Sequence, residues 1–347
     1  MKRCIGIWFL LLGLSFSAFA SEEEKPFDAK ETIFEHLLDN YGWEVPFSHS
    51  TRIPLPVIVR DVEGNWHLFS SARLEHGGRY NGFYIAEEGE NKGKIESVDG
   101  DGNKYRPLDF SVTKNVFAIL ISALLVGICV LPLARFYRRN PYKAPRKWLG
   151  AIEFLVDMIY GSVIRPILGE DARRFAPYLL TLFFFIVSIN LLGMIVIFPG
   201  GANLSGNISV TLVLAVCTFL VVNLTGTKHY WKELFWPEVP TWMKCPIPIM
   251  PVIEVFGAIT KPVALMIRLF ANMLGGHLIV LVLISLIFIF GAMGTAVVAG
   301  TTVLSVLFSI FMNLLHFLIC FIQAYVFTML STIFISLSRA HGEESEK

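Results

Sequence analysis

Charge is what this sequence of 347 residues has little of. Asp, Glu, Lys and Arg make up 16% of it, where ordinary soluble domains carry about 25%. Hydrophobic residues fill 54% and the mean hydropathy is +0.60, so most of the chain must be solvated by lipid rather than water. Between Trp242 and Arg339 the only acid is Glu254. Cysteine is scarce as well. Cys4, Cys129, Cys217, Cys245 and Cys320 have no metal-ligand spacing, and no disulfide is expected. No Gly-rich phosphate-binding loop is present, so the chain does not itself hydrolyse a nucleotide, and it has no catalytic site of its own. There is no clear internal repeat, which counts against a stand-alone transporter built from inverted halves. A sizeable effector domain after the apolar runs is also lacking, which counts against a signalling protein.

The charges that are present are unevenly spread. Residues 21–109 hold eighteen acids and ten bases, whereas residues 110–347 hold ten acids and seventeen bases. Met1 to Ala20 has Lys2 and Arg3, an apolar core and an Ala18-Phe-Ala20 ending, the pattern of a secretory signal peptide, with a retained short anchor as the alternative. The segment 21–109 that follows is expected to be a small exported, periplasmic module. It reads as a short helix at Glu31–Asp39, then strands over 53–59, 66–69 and 80–85 separated by turn signals. Its histidines, His36, His49, His67 and His76, match no ligand pattern, and no metal or cofactor is expected.

From residue 110 to 340 the pattern is that of a membrane domain, closed by a cytoplasmic tail at 341–347. A first span over 112–133 is followed by Arg135, Arg138, Arg139, Lys143, Arg146 and Lys147, which the positive-inside rule places in the cytoplasm. Residues 147–168 read as an amphipathic helix on the inner surface, ended by Pro166 and the Gly169–Arg174 stretch. Spans over 175–198 and 208–225 are joined by a Gly/Asn-rich outer loop. Lys228, Lys232 and Lys244 with Trp231, Trp236 and Trp242 mark an inner interfacial segment. Two runs of roughly 40 residues, 248–290 and 295–337, exceed a perpendicular crossing and must tilt. The expected fold is an all-α polytopic membrane protein with about five transmembrane helices, two of them long and tilted, plus one amphipathic surface helix and the exported strand-containing module. The N-terminus of the mature chain would be outside and the C-terminus inside.

One residue stands out. Arg268 lies in the middle of an apolar run, where an ionised side chain costs at least about 2.5–3.5 kcal/mol and cannot shed its proton. Glu254 is fourteen residues away, roughly 21 Å along a helix, too far to pair with it. Glu254, Gly257, Lys261, Ala264, Arg268, Asn272 and Gly275 fall on one helical face, and the small members would let another helix approach closely. Intrachain packing explains the Gly and Ala but not the Arg. On the last run Thr302, Ser305, Ser309, Asn313, His316, Cys320 and Gln323 recur at three- and four-residue steps. Singly, each would be an ordinary helix–helix hydrogen bonder; in register they read as the wall of a hydrated path.

The stretch Lys261-Pro-Val-(x)3-Arg268-Leu-Phe-(x)-Asn272-Met273 resembles subunit a of the F-type ATP synthase. Glu254 upstream, His316 and Gln323 downstream, Asn190-Leu-Leu-Gly193 and Gly206-Asn-Ile-Ser-Val-Thr211 support it, over about residues 108 to 340. The resemblance implies a stator in the bacterial inner membrane that lies against a c-subunit ring and is held by the b subunits of a peripheral stalk. Membrane lipids would be its other partners, and nucleic acid none. It further implies Arg268 as the residue of ion translocation, with Glu254, Asn272, His277, His316 and Gln323 along the proton path. The sequence departs from the family pattern in having histidine at both 277 and 316, where an acid often pairs with a histidine. Its exported segment is also longer than the family usually carries. The alternative reading is a stand-alone channel or transporter in which Arg268 binds an anionic substrate.

Overall fold

The computed structural model describes residues 39–44, 52–74, 77–86, 91–98, 104–145, 147–195, 203–235, 249–290 and 295–339. The expected signal peptide, nearly all of the helix at 31–39, His36, His49, His76, Trp236, Trp242, Lys244, Cys245 and the tail 341–347 lie outside them.

The N-terminal module consists of short strands. β1 (Gly42–Glu44) pairs antiparallel with β2 (Arg52–Pro54). β3 (Pro56–Arg60) lies between β4 (Trp66–Ser70) and β8 (Leu108–Asp109), and β6 (Ile95–Val98) between β5 (Phe83–Ile85) and β7 (Lys104–Tyr105). The single strand expected over 53–59 is two, in different sheets. Pro54 and Pro56 flank Leu55 and have no N–H to give a ladder, so the run breaks there. The side chain of Ser71 closes the gap, its Oγ accepting from the Leu55 N–H at 3.0 Å. Tyr41, Val57, Val59, Phe69, Leu74, Phe83 and Ile95 form the module's core. The Tyr41 hydroxyl donates to Asp109, so the ends of the module are fastened together.

From Lys114 onward the described elements are all helices. α1 (Lys114–Arg139) starts on an N-cap at Thr113, whose side chain accepts from the Val116 N–H. α2 (Trp148–Ile159) follows the basic loop. Helical bonding continues to Leu168, where the run was expected to end, through a π turn (Tyr160–Ile164) and a short turn (Arg165–Leu168) around Pro166. The wider turn sits where the proline's missing N–H and its ring disrupt the ordinary i→i−4 bond. The run bends at Gly169, whose φ of 53° is open to glycine at little cost. α3 (Ala172–Met194), α4 (Ile208–Thr225), the short α5 (Lys228–Phe235), α6 (Ile249–Ile289) and α7 (Thr295–Arg339) complete the chain. Among the described residues five helical runs are long and apolar enough to cross a membrane, as the five apolar stretches of the sequence require.

α3 is the hub. Phe175, Leu179, Leu182, Phe183, Ile186 and Ile189 are buried among α1 and α7. α6 and α7 pack antiparallel on each other, and α6 also lies on α4. Their 41 and 45 residues correspond to roughly 60 and 68 Å of helix against a hydrocarbon core of about 30 Å, so both must tilt strongly. At one side of the bundle the ends are tied together. Arg339 at the end of α7 ion-pairs with Asp171 before α3 and donates from Nη1 to the Thr225 carbonyl at the end of α4, 3.2 Å. The Thr227 N–H donates to Ser338 O at 3.1 Å. The start of α3 and the ends of α4 and α7 therefore share one level, as alternate crossings demand.

Candidate ion-translocation site

The fold places Arg268 on the face of α6 that the chain leaves uncovered. Leu265, Leu269 and Met273 point into the bundle and are buried, whereas Lys261, Ala264, Arg268 and Asn272 are exposed. Among the described residues Arg268 makes no hydrogen bond and no ion pair. Gly257 and Gly275 share the stripe, and a Cβ at either would meet nothing within 4 Å. Packing among the described residues therefore gives no reason for these small residues. A free guanidinium on a smooth helix face suits a partner that approaches closely and carries negative charge.

Toward the C-terminal part of α6 the polar groups converge. The rings of His277 and His316 meet edge to face, 5.6 Å between centroids. His316 is buried, and its Nε2 lies 3.1 Å from Met273 Sδ. His277 Nε2 is buried with no hydrogen-bond partner in the protein, which leaves a polar atom for water to satisfy. Asn272, His316 and Gln323 line one small pocket with Asn190, Leu269, Met273, Ile319 and Cys320. Lys261 lies over the Phe334 ring at 5.8 Å, while Met273 faces Cys320, so the antiparallel register brings Arg268 level with the stretch from Gln323 to Phe327.

One residue of this region, Gly276, carries no functional signal in the sequence. Gly276 packs so closely on α7 that a Cβ there would overlap the His316 ring. Asn190, 1% exposed, donates from Nδ2 to Cys320 O at 3.2 Å and accepts from the Ser205 hydroxyl, tying α3, α7 and the loop before α4. Its place in the family pattern was seen, but not this bond. The polar line on α7 is only partly turned inward. Ser305, His316 and Cys320 are buried, Asn313 is exposed, and Thr302 donates to its own helix at Val298 O, 2.7 Å.

Toward the N-terminal part of α6, Glu254 is half-buried and close enough to Tyr230 to act on it. Burial first, and then the Glu254 charge, push the Tyr230 hydroxyl above its ordinary pKa. That hydroxyl donates to Asn223 Oδ1 at 3.3 Å. Asn223, Tyr230, Thr218 and Lys261 line a second pocket with Pro262 and Phe334. Arg268 thus stands between two polar clusters on one helix, Glu254 about 21 Å to one side and His277 about 14 Å to the other. Of the histidines of the N-terminal module only His67 is described. It lies against Phe83, ring centroids 5.2 Å apart, and 4.0 Å from Asp61.

Residues 116–336 match the ATP synthase A chain family, and residues 32–110 match a separate domain family of unknown function. ATP synthase subunit a 2 of Chlorobaculum tepidum is 42% identical over 248 residues, covering 69% of this chain and 66% of the relative. ATP synthase subunit a of Chlorobium phaeobacteroides is 40% identical over 245 residues, and that of Myxococcus xanthus 38% over 247. The chain thus spans about two thirds to three quarters of these relatives' length. With the family match running over residues 116–336, more than half of the sequence, the chain belongs to the ATP synthase A chain family.

Proposed function

We propose that this chain is the membrane stator of an F-type ATP synthase, carrying protons to and from a carboxylate on a rotating c-subunit ring. The b subunits of a peripheral stalk would hold it still. One observation carries the reading: Arg268, without an acidic partner in the described chain, lies on an uncovered small-residue face between two polar clusters. In this reading residues 1–20 are a signal peptide and 21–109 a periplasmic module. Residues 110–340 form the membrane domain of a bacterial inner-membrane protein, and 341–347 a cytoplasmic tail.

A proton entering from outside passes His277 and His316 and neutralises the ring carboxylate near Asn272 and Gln323. A neutral carboxyl can face lipid, whereas a carboxylate cannot, so the ring turns only when loaded. At the other polar cluster the proton leaves past Glu254. Arg268 favours the ionised carboxylate as it arrives, which promotes release. Its fixed positive charge also opposes a proton that would cross directly between the two clusters. Histidine at both 277 and 316 supplies two adjacent imidazoles, each of which can take a proton on one ring nitrogen and give it up from the other.

The test is ATP-driven acidification of inverted vesicles by wild type and Arg268→Ala, with assembly checked by native gel. Loss of pumping by an assembled complex is expected. Normal pumping would make Arg268 a packing residue and return the chain to the transporter reading.

A further inference from the structure

The N-terminal module carries a surface that its own fold leaves bare. Alternate residues of a strand face opposite sides of a sheet. In the β4–β3–β8 sheet Val57, Val59 and Phe69 enter the core, while Trp66, Leu68 and Leu108 face away from it. With Phe110, just after β8, these side chains are 59%, 73%, 61% and 61% exposed. The register pairs Arg60 with both Trp66 and Leu108, and Ile58 with Leu68, which sets them side by side. The rings of Trp66 and Phe110 are 5.6 Å apart. A water-facing module has reason to cover such a patch.

A cationic pocket adjoins it. The Arg60 guanidinium lies over the Trp66 ring at 5.7 Å, its Nε donating to Gly64 O at 3.2 Å. A cavity of about 260 Å³ beside it is lined by Arg60, Asp61, Tyr105, Arg106 and Leu108. Asp61 is occupied there by the Tyr105 hydroxyl. Leu108 belongs to both the cavity and the apolar face, so apolar and cationic surfaces are continuous.

The tether says what the patch meets. Phe110 is four residues from Lys114, where α1 begins, so their Cα atoms are at most about 13 Å apart. The module is also clamped to the helix. The Lys114 N–H donates to Asn40 O at 2.9 Å, and the Asn115 N–H to Asp39 Oδ1 at 3.1 Å. Trp43, buried, packs edge-on against Phe117 at 5.8 Å. Lipid headgroups occupy roughly 5–8 Å on each side of the hydrocarbon. Phe110, and Trp66 with it, are therefore held at the edge of that layer. Aromatic rings together with arginine are the side chains that settle at this boundary.

We propose that the Trp66–Phe110 face docks on the outer leaflet, its rings and leucines at the headgroup–acyl boundary and an anionic lipid phosphate at Arg60 and Arg106. This rests on the reading that α1 crosses the membrane with the module outside. The module thereby becomes a lateral brace that fixes α1 at the surface.

The test places the photocrosslinker benzoylphenylalanine at Leu68 of the full chain in its native membrane, with separate control sites at Leu124 on α1 and at Lys92. Phospholipid adducts at Leu68 several-fold above those at Lys92 are expected, reduced several-fold by Arg60→Glu. Protein adducts, or none, at Leu68 would overturn the proposal, provided lipid adducts form at Leu124. Absence of lipid adducts at Leu124 would instead overturn the spanning assignment of α1, and the docking with it. In reconstituted vesicles, an equal yield with and without phosphatidylglycerol would overturn the phosphate contact.

Discussion

At the scale of single residues, what sequence reveals is a side chain in the wrong solvent. Arg268 is legible because a permanent charge in an apolar run is conspicuous in one dimension. Gly276 is not, because Gly275-Gly276 reads equally well as a generic close-packing pair. Its meaning depends on His316, forty residues away, whose ring occupies the space a Cβ would need. Glycine here makes room for a histidine in the proposed proton path. Gly276→Ala should therefore push the His316 ring off its rotamer, at a cost of order 0.5–1.5 kcal/mol, and away from His277. ATP-driven pumping by the assembled complex should fall to about the level of His316→Ala, and the double variant should be no worse than either alone. Additive losses would mean that the glycine acts through something other than this ring.

At the scale of elements, the five long apolar runs needed no more than their length and composition to be recognised as helices, and their observed ends differ from expectation by a few residues. The short strands were harder. β6, β7 and β8 hold two to four residues each and include Glu96, Lys104 and Asp109, so neither propensity nor alternation marks them. Sequence also could not say which helix is the hub, since that depends on which polar atoms find partners across the bundle. Asn190 does so for α3. Asn190→Leu would remove the donor to Cys320 O and leave the Ser205 hydroxyl without its acceptor. Hydrogen bonds of this kind within membranes average about 0.6 kcal/mol and reach about 1.7. A modest fall in the thermal midpoint of the detergent-solubilised complex is expected, with Ser205→Ala costing less than Asn190→Leu. Equal midpoints for wild type and Asn190→Leu would show that α3 is held by apolar packing alone. Asp171→Asn at the other end should matter still less, because the pair with Arg339 is partly exposed and such pairs contribute about 0–1 kcal/mol.

At the scale of the whole molecule, the change from strand-forming to helix-forming sequence near residue 110 is plain in composition, but the clamp across it is not. Asp39 caps Asn115 from 76 residues away, a pairing no local pattern encodes. If the module faces the compartment that supplies protons, it must stay folded at lower pH than the rest. Two carboxylates bear on its acid stability. The Tyr105 hydroxyl holds the Asp61 carboxyl below its ordinary pKa, with help from the Val62 N–H. The Asn91 amide, at 2.9 Å, and then the Tyr84 hydroxyl do the same for Glu96. A carboxyl whose folded pKa is depressed stabilises the fold above its unfolded value, near pH 4, and that stability is lost as pH falls through the folded value. The module should therefore remain intact from neutral pH to about pH 4 and open below it, while the membrane helices, which bury no carboxylate among the described residues, persist. Hydrogen exchange on reconstituted chain, followed in β3–β6 and in α3 across that range, would measure this. The double variant Asp61→Asn, Glu96→Gln should flatten the response of the strands. A module that opens at the same pH in the variant would place the acid limit elsewhere, and simultaneous loss of protection in α3 would mean that the clamp at Asn115 transmits the opening into the membrane.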